Sequence, residues 1–172
     1  MKEQLLKLEQ VFAKAKGERV ELQDIKTLDK LAAESKIIKS KGMKASDKAN
    51  DAWIDMEDAR KASRIAKEKS DRGIDKSANT KKENDKKLQA VLNEGKKLFQ
   101  EYSKAYSKFE KAQNKEAKLK KDYDALQTEA EKHIGKMKKA ITDFAKSAKD
   151  LGVDVSSKVN SYKKIAEQTD SF

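Results

Sequence analysis

The chain reads as an all-α protein: an elongated helical hairpin or coiled-coil bundle, with one very long helix at about 81–151 and short helices at either end. Three observations predict this. An apolar residue recurs every three and then every four positions from Leu88 to Leu151 without a slip. There is no Pro and only 6 Gly in 172 residues, so helix breakers are scarce. Charged residues make up 41% and the apolar 36% is heavy in Ala, which suits narrow helical seams rather than a thick core.

The long stripe comes first because it carries most of the information. Its positions are Leu88, Val91, Gly95, Leu98, Tyr102, Ala105, Phe109, Ala112, Glu116, Leu119, Tyr123, Leu126, Ala130, His133, Met137, Ala140, Phe144, Ser147 and Leu151. A period of 3.5 held this long marks a helix with one sticky seam. At 1.5 Å per residue it spans roughly 95 Å. Gly95, Glu116 and His133 are its departures from apolar character, and Gly135 lies off it as a candidate bend.

From the N-terminus, 1–42 is expected to be a short helical hairpin. Leu5, Leu8, Phe12 and Ala15 share one face, and Gly17 after Lys14 and Lys16 reads as a stop. Leu22, Ile25, Leu28, Leu31, Ala32 and Ile38 recur at helical spacing in a second helix, with Gly42 after Lys36, Lys39 and Lys41 as its stop and Val20 at the corner.

The segment 43–151 is expected to be a long hairpin, with a helix at about 45–72, a turn at about 73–80 and the long helix after it. The first arm has a seam of Ala45, Ala49, Ala52, Met56, Ala59, Ser63, Ala66 and Ser70, with Trp53 and Ile54 flanking it and Trp53 as the anchor. Small seam residues bury little area, so they need a partner with large side chains such as Leu98, Tyr102, Tyr106 and Phe109. Gly73 after Arg72 reads as a C-terminal stop, and Thr80 with Glu83 matches a capping box. Counting 73, 77, 80, 84, 88 gives two successive steps of four, a stutter, so a helix running straight through 73–80 is the alternative to the turn.

The first arm is shorter than the second, so Leu119 to Leu151 is expected to overhang and to need another cover: the N-terminal segment, the C-terminal helix or a second chain. The long helix should end at Leu151-Gly152. A short C-terminal helix and tail follow in 152–172, with an N-cap at Ser156 or Ser157 and Val159, Tyr162, Ile165 and Ala166 on one face.

Lys and Arg outnumber Asp and Glu by 41 to 30, a net +11 spread along the chain rather than gathered in an arm. Interspersed signs, with i,i+4 pairs such as Lys97–Glu101, Glu116–Lys120 and Lys118–Asp122, are the mark of a solvated surface. There is no Cys and a single His, His133, on the seam, which reads as a packed residue; a pH-sensitive contact is the alternative. No catalytic, cofactor-binding or metal site is expected. A di-metal carboxylate site needs two Glu-x-x-His pairs, and no phosphate-binding or nucleophile-elbow motif is present. Asp47, Asp51, Asp55 and Asp58 read as a solvated acidic face. The opening residues hold acids and no long apolar run, and no stretch is apolar enough to span a membrane, so a cytoplasmic or virion-associated chain is expected.

The expected function is a non-enzymatic structural or assembly protein: a lysine-rich helical rod that self-associates or packs on other helical proteins as a virion, scaffold or filament component. Its packing residues would be Trp53, Met56, Leu88, Val91, Leu98, Tyr102, Phe109, Leu119, Tyr123, Leu126, Met137, Phe144 and Leu151. No small-molecule substrate is expected. The alternative is a basic coiled-coil module on an anionic membrane or nucleic acid. The run Tyr102-Ser-Lys-Ala-Tyr-Ser-Lys-Phe-Glu-Lys-Ala resembles helices of F-BAR domains over about a dozen low-complexity residues. That resemblance implies a curved basic surface formed by a dimer. Tyr106 and Tyr162 are the aromatics expected to be partly exposed.

Overall fold

The computed structural model describes the backbone of residues 2–81 and 85–170, and their side chains apart from 2, 3, 5, 6, 16, 19–22 and 85. The described residues are helical except at Lys81, 151–155 and Asp170, and none is in a strand. Helix α1 is Lys2–Thr80, α2 is Asp85–Asp150 and α3 is Ser156–Thr169. The all-α class and the very long second helix stand as observed.

The N-terminal hairpin does not. Gly17 and Gly42 lie inside α1, which runs 79 residues without a break. The reason is register. From Ser35 an unbroken line of shielded positions runs 35, 38, 42, 45, 49, 52, 56, 59, 63, 66, 70, 73, 77 and 80, with 39, 46 and 57 half-buried beside it; this alternation of three and four passes through Gly42 and Gly73. These glycines are seam residues, not stops. A methyl on Gly73 would come within 3.1 Å of Leu98 Cδ1 and 3.5 Å of Gly95 Cα. One on Gly17 would come within 3.3 Å of Leu151 Cδ1 and Cδ2. Gly73 therefore marks a close approach to α2, and Gly17 one to the residue just past its end. Leu8, Val11 and Phe12 are exposed, so the expected packed face at the start of α1 is not packed; the side chains of Leu5, Val20 and Leu22 lie outside the described residues.

No turn lies at 73–80, which is still part of α1. Thr80 is the last residue of α1, and its Oγ1 donates to Lys76 O at 2.7 Å, so it does not cap α2. Glu83 lies outside the described residues. The stutter is the place where one seam ends and the next begins.

The chain divides into two compact units: a bundle unit of Met1–Lys44 with Asp124–Phe172, and a hairpin unit of Ala45–Tyr123. In the bundle unit Leu28 and Ala32 of α1 pack with Met137, Ile141, Phe144 and Ala148 of α2 and with Val155, Tyr162 and Ala166. The expected overhang is thus covered by α1 and α3 of the same chain. Gly152 (φ +69) ends α2: its N–H bonds Lys149 O at 3.1 Å and Val153 N–H bonds Ala148 O at 2.9 Å, the paired bonds of a Schellman motif. α3 is capped by neither serine hydroxyl. Asp154 Oδ1 accepts from the Ser156 Oγ and N–H at 2.6 and 3.0 Å, and those bonds, the side-chain one foremost, hold its carboxyl below the usual range.

The hairpin unit is built differently. Its antiparallel arms meet through Ala52, Ser63, Ser70 and Gly73, all buried, while its larger seam residues are only half-buried. Asp55 pairs with Lys115 at 3.8 Å, and Gly73 lies against Leu98, so α2 runs back as α1 runs forward.

Two outcomes follow from this contrast. Phe144, 1% exposed, should cost about 3–5 kcal/mol in a urea melt when changed to Ala, whereas Trp53→Ala should stay within about 0.5 kcal/mol. Gly135 is exposed in mid-helix with open space beside it, so Gly135→Ala should stabilise by about 0.5–1 kcal/mol, and Gly73→Ala, crowded by Leu98, by less.

Candidate functional site

On α2, from Leu88 through Glu129, each seam position is half-buried and each described residue off the seam is exposed. Leu88, Val91, Leu98, Tyr102, Phe109, Leu119, Tyr123 and Leu126 are half-buried, Met137 and Phe144 fully buried, and Leu151 43% exposed despite lying against Gly17. On α1, Met56 is half-buried, but Trp53 is 54% exposed. Trp53 is not an anchor, because it follows the seam residue Ala52 by one and so sits beside the contact.

That neighbouring position forms an edge. On α2 of the hairpin unit it is Leu92, Phe99 and Tyr106, each one residue after a seam position and seven apart. On α1 it is Trp53, Arg60, Lys67 and Ile74. Two hollows bring Arg60, Lys67 and Ile74 to one side of the hairpin with Leu92, Phe99 and Tyr106; Trp53 lines neither and shares that side by register. One, of about 570 Å³, brings Arg60, Arg64 and Lys67 to Tyr102, Tyr106 and Phe109. The other, of about 380 Å³, brings Gly73 and Ile74 to Leu92, Lys96 and Phe99. The rings of Phe99, Tyr102, Tyr106 and Phe109 form a ladder with centroids 6.0 to 6.3 Å apart and tilted planes.

The opposite edge is richer in charge, though Ala62 and the exposed Ile65 also lie on it. Asp55 meets Lys115 there. The same register sets Lys48 opposite Asp122, Lys69 opposite Glu101 and Lys76 opposite Glu94. One edge thus sets opposite charges across the two arms, and the other carries exposed apolar and aromatic side chains beside Arg60, Arg64 and Lys67, with Glu57 among them. The residue type at this position could have been read from the sequence. Along α2 it runs Leu92, Phe99, Tyr106, then Gln113, Lys120, Gln127, then Ile134, Ile141, Ala148: apolar, polar, apolar. Ile134, Ile141 and Ala148 are buried in the bundle unit.

His133 is 6% exposed and works as a cross-link between helices. Its Nε2 lies 2.9 Å from Leu31 O and 2.9 Å from Ser35 Oγ. A carbonyl only accepts, so Nε2 carries the proton; Ser35 Oγ accepts there and donates to Met137 Sδ at 3.4 Å. Nδ1 is 3.8 Å from Glu34 Oε2. Tyr106 is 42% exposed, but Tyr162 is buried, contrary to expectation, because its phenol donates to Asp29 Oδ1 at 2.6 Å. Asp47, Asp51, Asp55 and Asp58 are exposed, with Asp58 3.9 Å from Lys61, and no group of three metal-ligating side chains occurs among the described residues. No helix among the described residues is long and apolar enough to cross a membrane.

A scan against family models finds no match, and comparisons with curated proteins and with solved structures return none. The F-BAR likeness gains no support from them.

Burial, and then the bond to Asp29, pushes the Tyr162 phenol up from 10.0 to about 12. The fold keeps this proton to higher pH than the unfolded chain, so the contribution is whole below pH 10.0 and is lost as pH rises toward about 12. Urea melts at about pH 8 and pH 11 should show a larger fall for the wild type than for Tyr162→Phe; equal falls would refute the assignment.

Proposed function

We propose that the chain is a non-enzymatic structural or assembly component whose helices pack on other helices. The observation that carries this is the uncovered edge of the hairpin unit, where Trp53, Ile74, Leu92, Phe99 and Tyr106 are each 40% exposed or more. Covering apolar surface releases about 25 cal/mol per Å², and a contiguous exposed patch of this kind marks an interaction surface. The support comes from this edge and not from an unpaired stretch of the long seam, which has its partner within the chain. A place in a virion, a scaffold or a filament fits the same chemistry.

One observation favours a second reading, a basic module on nucleic acid or an anionic membrane. The aromatic ladder stands beside Arg60, Arg64 and Lys67, and stacking surfaces in basic grooves hold single strands. That reading requires co-sedimentation with DNA or anionic liposomes at about 50 mM salt that is lost at about 200 mM.

The assembly reading is tested by velocity sedimentation of an extract from the cells that make the protein. The chain should travel in a complex well above its own 19.4 kDa, and Leu92→Glu with Phe99→Glu should return it to that mass. Wild type travelling as a 19.4 kDa species would remove the reading.

A further inference from the structure

The bundle unit shows what covers this kind of edge. There the position beside the seam is Ile25 and Ala32 on α1 and Ile134, Ile141 and Ala148 on α2. Ala32, Ile141 and Ala148 share a core with Val155, Tyr162 and Ala166, and Ile25, Val159 and Ile165 pack against it. The far end of α3 reaches a hollow shared by Gln127, Ala130, Glu131 and Asp170. A 14-residue amphipathic helix therefore occupies the groove between α1 and α2, sharing a core with Ile141 and Ala148 and ending beside Gln127, Ala130 and Glu131, a span that takes in the buried Ile134. In the hairpin unit the same register positions run over two heptads from Leu92 to Tyr106, and all three side chains there stay exposed among the described residues.

We propose that this edge of the hairpin unit is the docking site for one amphipathic α-helix of a different protein, apolar on one face and acidic along its flanks. The proposal rests on the assembly reading above and names its partner class. Three facts choose the occupant. The groove has the two-helix form that α3 fills in the bundle unit, and its apolar side chains on α2 repeat every seven residues, so the complement is a helix of about four turns. Its two hollows are lined by Arg60, Lys61, Arg64, Lys67 and Lys96 against Glu57, already 3.5 Å from Arg60; Asp71 and Glu110 share the edge by register but line neither hollow, so cations prevail and the complement is acidic. A second copy presenting this same edge would set those cations against themselves, and a second copy's α3 would bring Lys158, Lys163 and Lys164 with only Glu167.

The test uses the full chain and a synthetic helix of about 20 residues, with Leu and Ile at seam spacing and Glu on the flanks. A twin peptide carries Lys in place of Glu. Trp53, the single Trp, sits on the edge and reports binding by a blue shift of its emission, with calorimetry for affinity. The acidic peptide should bind at least about tenfold more tightly than its twin at about 150 mM salt, and Phe99→Glu should weaken it at least tenfold. Arg60→Glu with Arg64→Glu and Lys67→Glu should reverse the preference, while Lys111→Glu, off this edge, should change nothing; circular dichroism checks that each variant keeps its helix content. Equal affinity for the two peptides, or indifference to Phe99→Glu, overturns the proposal. So does oligo-dT or phosphatidylserine vesicles binding with that variant sensitivity while the acidic peptide does not. If the cellular complex is real and lost in Leu92→Glu with Phe99→Glu, yet the acidic peptide fails to bind, this inference falls and the assembly reading survives. If the complex and the peptide binding are both absent, both fall.

Discussion

The antiparallel match between two stripes of period 3.5 is the constraint on which everything else depends. An α-helix turns once in 3.6 residues, so an apolar residue every three and four steps keeps one line of side chains facing a partner. α1 carries that line from Leu28 to Thr80, and α2 carries it from Leu88 to Ser147. Within each unit the two lines face each other, and the remaining positions divide into edges and outer faces. The character of those edges, not of the seam, separates the two units.

In the bundle unit the seam widens. Apolar residues beside it, with Phe144 and Met137 on it, give a three-helix core that α3 completes, and His133 and Tyr162 spend their polar groups on specific partners across helices. In the hairpin unit the seam of α1 is Ala, Ser and Gly apart from Met56 and Thr80, so the arms come close but enclose little. Large side chains on α2 then reach past their small partners, and Leu92 and Phe99, set one residue off the seam, have no third helix to meet.

Much of this was readable from the chain. The stripe on α2 was legible because its large residues recur without a slip, and the small seam of Ala45–Ser70 because its spacing is equally strict. The glycines were misread. Gly17 and Gly42 each follow lysines, the local pattern of a helix end, yet the three-four alternation runs through Gly42 and Gly73, and a longer count outweighs a local punctuation mark. Trp53 was misjudged because size was weighed before register: one step after Ala52, a large ring lies beside a contact and not inside it. Tyr162 was legible as part of the apolar face of the last helix, but its burial and its bond were not, since its partner Asp29 lies 133 positions away and only the folded bundle brings them together. The edge on α2 was visible in principle as an apolar, polar, apolar succession at every seventh residue.

The thinness of the hairpin's interior has a dynamic consequence. Regions with few buried apolar contacts open locally at lower free energy than the global transition, and their amide protons exchange with solvent sooner. Backbone hydrogens around Ala52–Gly73 and Leu88–Phe109 should thus trade for deuterium well before those around Phe144. Anything that seats on the native edge and not on the opened arms slows that exchange by mass action. A surface left bare in this way makes local breathing a gauge of occupancy.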